Sequence, residues 1–482
     1  MEIIYEKLKN YSNSDYYGFH MPGHKRNDRL PGQAESQLPY AIDITEIDGF
    51  DDLHHADGIL RDAQERAARI YHASETHFLV NGSTVGILSA VLGTTKKGDT
   101  VLVARNCHKS VYHAIYMNEL KPVYLYPGFD EKYQLNTRIS VSEVKAALER
   151  YPEICAVILV SPTYDGVVSE IKKIADAAHE KGIPLIVDEA HGAHFGFHPY
   201  FPENSNVCGA DIVIHSVHKT LPSLTQTALL HINGKLVDRE RVRKYLHMLQ
   251  TSSPSYVLLA SIDSCMGMLD TRCEEIFEPY VKMLAKARND LKELRHLKLA
   301  GYEDGKGYDF SKMIFSTVDT DMTGRDLYEL LLNRYHLQME MLAGDYVLAM
   351  TAPGDTKEGF ERLVCAIKEI DGEAREWSGK KKPKGRMLRL PGIYTSAGVE
   401  GVLEREGTTS GFVPWEKCAG YISLEYAYLY PPGIPIVVPG EQITVEAVQQ
   451  LRDYEDCGYS VEGMKKEGKI EVILFREHEG VV

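Results

Sequence analysis

No run of about 20 consecutive apolar residues occurs in this 482-residue chain, which excludes a membrane-spanning helix. A basic excess is equally absent. Lys and Arg number 54 against 69 Asp and Glu, a formal net charge of −15, so nucleic acid and membranes are poor partners and a cationic small molecule a better one. The eight cysteines form no CxxC pair, and the opening MEIIYEKLKN has no apolar signal core. The expectation is reduced thiols in a cytoplasmic protein. No internal repeat is evident. What remains is an ordinary globular composition, 44% hydrophobic and 26% charged, over a length that suits several domains.

Residues 1–40 are rich in Gly, Pro, Tyr and His, include GFHMPGHKR, and read as an N-terminal arm. A helical pattern follows over 62–73. Short apolar runs then alternate with amphipathic stretches: THFLV, DTVLVARN, KPVYLYP, CAVILVSPTY, IPLIVDEAH and ADIVIHSVHK, with helical periodicity between them at 142–150 and 170–181. Strands that are apolar nearly throughout indicate a mostly parallel sheet covered on both faces, here an α/β large domain over 41–275. A helical region at about 254–297 bridges to a smaller α+β domain over 276–375. The basic EWSGKKKPKGR opens a solvated linker at 376–390, and 391–482 forms a C-terminal domain.

In open α/β sheets ligands sit beyond the carboxyl ends of the strands, and the polar oddities of the large domain fall there. Gly82, Ser83 and Thr84 open a helix after one strand, His108 follows a second, Thr163 a third, Asp188 and His191 a fourth, and Ser216, His218 and Lys219 a fifth. A glycine turn with hydroxyls at a helix N-terminus suits a phosphate. A buried aspartate calls for a facing cation. A desolvated lysine can lose its proton and trap a carbonyl as a Schiff base. Alone, each has a bland reading: a turn, a cap, a solvated charge. Together, in that order, they match the phosphate, pyridinium nitrogen and aldehyde of pyridoxal 5′-phosphate.

The segments FHMPGHKR, ARNCHKS, SPTYDGV, VDEAHGAHFGFH, HSVHKTLPSLTQ, QTSSPSY and YPPGIPIVVPGE resemble the signatures of the Orn/Lys/Arg decarboxylase family over nearly the whole chain. The resemblance implies a PLP-dependent transferase (aspartate aminotransferase-like) fold, with a mostly parallel large domain and a smaller α+β C-terminal domain. It implies that Lys219 binds the aldehyde, Asp188 pairs with the ring nitrogen, His108 stacks on the ring, and Ser83, Thr84, Ser216 and His218 surround the phosphate. It also implies a homodimer or higher homo-oligomer with shared sites, to which 250–256 would contribute. About twenty residues precede Pro22, so the expectation is a short form lacking the N-terminal wing of the large inducible members.

The implied reaction is decarboxylation of a basic amino acid, arginine favoured and lysine or ornithine next, yielding an amine that can feed polyamine synthesis. Lys219 or His218 returns a proton to Cα. Glu340 and Glu441 are the candidate partners of the distal cation. The alternatives are an aminotransferase or lyase of the same fold, which would need an arginine gripping the α-carboxylate, or a silent regulatory relative. The three histidines of HGAHFGFH lack metal-site spacing or a cysteine partner, and no metal is expected there. The cluster at 51–55, DDLHH, reads as a loop near the subunit interface.

Overall fold

The six apolar runs become six strands of one seven-stranded sheet, in the spatial order Glu75–Leu79, Ala228–Ile232, Ile212–His215, Leu185–Asp188, Ile154–Val160, Thr100–Ala104, Lys121–Leu125. The structure is a computed structural model, and it describes residues 15, 17–19, 51–301, 307–376, 386–429, 433–456 and 459–475. Nearly all of the arm expected at 1–40 and most of the linker expected at 376–390 lie outside the described residues.

The seventh strand, Ala228–Ile232, was not expected. It runs antiparallel to both neighbours, whereas the other pairings in the sheet are parallel. The reason is the short connection. Residues 216–227, with the one-turn helix Val217–Thr220 among them, separate it from Ile212–His215, at the lower limit of the dozen or more residues that a parallel crossover needs.

Both faces of the sheet are covered, which is why its strands carry few polar side chains. One core packs the helices Gly82–Thr94, Lys109–Met117, Val141–Arg150 and Ile171–His179 on the strands. The helix Gly82–Thr94 also lies on the helix Arg239–Leu249, an approach that Gly93 permits: a β-carbon there would stand 2.7 Å from Val242 Cα. A second core packs Ile59–Ile70 and the long helix Tyr256–Asp290, bent at Arg272, and continues into a four-stranded antiparallel sheet. That sheet holds Lys298–Leu299, Lys312–Ser316, Met341–Ala343 and Tyr346–Met350, with the helices Gly324–Asn333 and Lys357–Glu373.

Beyond residue 386 the chain builds a third core around the strands Ala427–Leu429, Ile434–Val437 and Lys469–Phe475 and the helix Val445–Asp456. The DDLHH segment contains a turn of 3-10 helix, Leu53–His55. It is capped by Asp52, while Asp51 accepts from the amides of Asp52, Asp57, Gly58 and Leu60. Among the described residues no helix is long and apolar enough to cross a membrane.

Candidate active site

The strand ends converge. Gly82, Ser83, Thr84, His108, Asp188, His191, Ser216, His218 and Lys219 all line one cavity of about 590 Å3. Each is delivered by a different local device.

Gly82 has φ +75°, a left-handed conformation that turns the chain from strand into helix at little steric cost. Asn81 does not cap that helix; its side-chain oxygen instead accepts from the Thr251 amide at 3.1 Å. The first-turn N–H groups therefore keep their capacity for an anion, with the Ser83 and Thr84 side chains beside them. His108 caps the helix Lys109–Met117, its Nδ1 accepting from the Ser110 amide, and burial lowers its imidazole to about 3. It is a neutral ring at the cavity wall.

Asp188 ends its strand with 4% exposure. Burial raises its carboxyl above the ordinary value, with the charge of Lys219 opposing that rise. The one-turn helix Val217–Thr220 carries His218 and Lys219. His218 is anchored by Nδ1 at 2.8 Å from the Thr227 carbonyl. Lys219 Nζ lies 2.8 Å from His191 Nε2, and the part of the lysine that remains exposed lines the cavity. Burial depresses the Lys219 amine despite the opposing charges of Asp188 and Glu340, and drives His191 well below its usual range. An amine so placed is easier to deprotonate and hence more nucleophilic.

Thr163 and Glu441, both expected at the site, do not line this cavity. Thr163 Oγ1 instead accepts from the Val167 amide at 3.0 Å within a turn. Glu441 is 3% exposed and paired with Arg105 Nη2 at 3.1 Å, while accepting from the Val438 amide. Its carboxylate serves a structural ion pair. Glu340 lies closer to the chemistry. It accepts from the Tyr164 hydroxyl, and Tyr164 lines the cavity and packs on His191 at 4.4 Å between ring centroids. Glu340 itself borders an adjoining hollow of about 420 Å3, and Ile434 lines both spaces.

The three histidines of HGAHFGFH diverge: His191 meets Lys219, His194 meets Asp309 and His198 meets Glu278. Asn106, Tyr164 and Gln226 also line the cavity and were not singled out from the sequence. All three stand in motifs quoted above, ARNCHKS, SPTYDGV and HSVHKTLPSLTQ, of which Gln226 is the last residue.

Three buried polar atoms around this cavity have no partner among the described residues: Ser216 Oγ, His191 Nδ1 and Asn106 Oδ1. Interiors rarely leave such atoms unsatisfied, so they mark a place for a polar ligand. A helix end free for phosphate, a carboxylate for a cationic ring nitrogen and a carbonyl-seeking amine complete the set. The residues present fit pyridoxal 5′-phosphate.

Residues 3–313 match the family described as Orn/Lys/Arg decarboxylase, major domain, and residues 403–467 match its C-terminal domain. The chain belongs to the Orn/Lys/Arg decarboxylase family. Membership makes it an amino acid decarboxylase and implies the pyridoxal cofactor. The decarboxylase is 34% identical to an uncharacterised protein of Bacillus subtilis over 99% of both chains. It is 32% identical to an arginine decarboxylase of Bacillus anthracis, over 95% of this chain and 94% of that one. Among solved structures it is similar to a lysine decarboxylase of Francisella novicida, with TM-score 0.73 and 18% identity over 88% of this chain and 73% of that one. That last likeness establishes the fold alone: a large domain with a mostly parallel sheet and a smaller C-terminal portion.

Proposed function

We propose that this decarboxylase releases CO2 from arginine, with lysine and ornithine as lesser substrates, and that its cofactor is pyridoxal 5′-phosphate held by Lys219. The observation that carries the reading is the meeting of a half-buried amine, Lys219, and a buried carboxylate, Asp188, in one cavity beside an uncapped helix end.

When bound, the cofactor supplies an electron sink for the pair left behind by the departing carboxylate. Asp188 would pair with the ring nitrogen of the bound cofactor and hold a proton there. Each buried charge is costly alone, so the pairing stabilises both. The helix end at Gly82–Ser83–Thr84 and the Ser216 hydroxyl would hold the phosphate, and the neutral His108 would pack against the ring. His191 keeps Lys219 Nζ aimed, and Lys219 or His218 carries the proton that replaces CO2 on Cα.

Among the described residues no arginine lines the cavity, which disfavours an aminotransferase grip on the α-carboxylate. A carboxylate held away from strong cations and out of water is destabilised relative to a transition state in which its charge is dispersed. Glu340, reached through Tyr164, is the carboxylate offered to the distal cation. Likeness to an arginine decarboxylase over nearly its whole length supports arginine ahead of lysine. The reading includes a cytoplasmic homodimer with shared sites, to which exposed residues 251–253 of one protomer contribute, and an amine product available for polyamine synthesis.

Product analysis after separate incubations with arginine, lysine and ornithine tests the reading. Agmatine and CO2 from arginine, faster than the corresponding diamines from the others, are expected. A keto acid product would assign an aminotransferase, and a protein that stays colourless with added cofactor would assign a silent relative.

A further inference from the structure

Behind the cavity, four polar side chains cross the large sheet in one hydrogen-bonded file. Thr76 Oγ1 lies 2.7 Å from His231 Nδ1, His231 Nε2 lies 3.0 Å from His215 Nδ1, and His215 Nε2 lies 2.8 Å from Glu189 Oε1. None of the four is more than 4% exposed. The file is closed at the far end by Ser205, whose amide donates to both Glu189 oxygens at 3.1 and 3.2 Å and whose hydroxyl donates to Oε2. Tyr71 covers it, with ring centroids 4.7 Å from His215 and 4.8 Å from His231, and its hydroxyl donates to the Ala193 carbonyl.

A sheet face packed by an apolar core has no structural need for such a row, and burying it is costly unless every link is made. Its position gives it a use. Glu189 follows Asp188 directly, and its amide donates to the Ile214 carbonyl at 3.0 Å; His215 leads directly into Ser216, His218 and Lys219. The two residues nearest the chemistry are thus the immediate neighbours of the strand-end groups that line the cavity. Burial pushes Glu189 up to about 8, His215 down to about 3 and His231 well below its usual range, so burial disfavours a charge on each of the three groups and both imidazoles are neutral. A neutral imidazole carries one N–H. The links must therefore all point the same way, and a change at Thr76 is passed along as a change of tautomer.

We propose that the file Thr76–His231–His215–Glu189 is a positioning relay that fixes the two strand ends bearing Asp188 and Lys219 in the geometry that holds the cofactor. Glu189 and His215 are its positioning residues, and Thr76, on a strand that supplies neither Asp188 nor Lys219, is its remote end. The inference rests on the reading of Asp188 and Lys219 given above and adds what orients them.

The test titrates full-length apoenzyme with pyridoxal 5′-phosphate, following the cofactor absorbance band, with circular dichroism as the control for folding. Thr76→Val, nearly equal in volume, is expected to weaken cofactor binding about tenfold by leaving a buried nitrogen unpaired, and to alter the band of the bound form. Thr76→Ser is expected to restore both. Glu189→Gln is the second variant, informative even where Thr76→Val does not fold, and it is expected to show the same loss. Added to it, Thr76→Val should cost little more, because the relay is already broken. Wild-type affinity and spectrum in a folded Thr76→Val or Glu189→Gln protein would overturn the relay alone, as would independent, additive losses. Failure of the wild-type protein to take up the cofactor would overturn both the relay and the reading beneath it.

Discussion

Lys219 and His191 stand 2.8 Å apart, Nζ to Nε2, and burial lowers the proton affinity of both. A pair that shared two protons would bury two like charges, so the stable state holds an imidazole that accepts and an amine that is readily released from its own proton. His191 is in turn packed on Tyr164. The nucleophile is therefore aimed by a neutral partner and a ring, and among the described residues no salt bridge keeps it an ammonium.

Replacing this amine removes the carbonyl-trapping group and leaves the cavity walls intact. Lys219→Ala is expected to lower CO2 release by about 10³-fold or more while circular dichroism and melting stay near wild type. Borohydride should no longer fix the cofactor to the protein. Near-normal turnover would remove Lys219 from its assigned role.

Asp188→Asn keeps the shape and loses the anion. The expected fall in kcat is about 10²–10³-fold at saturating cofactor, the usual scale for losing one well-placed electrostatic partner in a dry site. Steady-state kinetics with excess cofactor measures it, and an unchanged kcat would show that the carboxylate does not face the ring nitrogen.

Glu340 and the Tyr164 hydroxyl share a hydrogen bond at the junction of the cavity and the adjoining hollow. Glu340→Gln is expected to raise KM for arginine about tenfold, the cost of losing a charged hydrogen bond, with a smaller change in kcat. A KM equal to wild type would move the distal cation elsewhere.

For Glu441 the expectation is stability. Its pairing with Arg105 ties the C-terminal region to the strand end that leads to His108, and Arg105 also donates to the Pro435 and Ile436 carbonyls. Removing the acid in Glu441→Ala leaves a guanidinium buried without its counter-charge. A loss of about 3–5 kcal/mol is expected in denaturant unfolding, the scale for breaking a buried pair. An effect confined to KM would return Glu441 to the list of substrate residues.

Glu75 predicts part of the acid sensitivity. Burial raises its carboxyl, but the hydrogen bonds from His77 and Arg243 outweigh burial and hold it at about 2. A folded value below the unfolded one, about 4.3, means stabilisation that is present above pH 4.3 and lost as pH falls towards 2. Glu75→Gln should cost on the order of 2 kcal/mol at neutral pH and flatten that part of the acid unfolding curve. Identical curves for the two proteins would show that the bonds on Glu75 carry no net stabilisation.

The parallel sheet was legible because burial on both faces demands uninterrupted apolar runs, and DTVLVA and ADIVIH can be little else. Ala228–Ile232 escaped because it follows the turn after Lys219 so closely and contains His231, which breaks the apolar run. Thr163 and Glu441 were misplaced for one shared reason: a polar residue near a strand end can turn inward to satisfy a neighbouring amide or guanidinium, and the pattern of residue types does not record that choice.

The sequence by itself determined which groups are available: a lysine, an aspartate and a glycine-led helix end, each placed just past an apolar strand, since strand periodicity and turn chemistry are local. Only the tertiary structure decided which of them meet. Whether Lys219 faces His191 or water, whether Glu441 binds substrate or Arg105, and whether His215 and His231 join across the sheet all depend on the order in which strands lie side by side. That order is set by packing between segments far apart in the chain, and no local pattern encodes it.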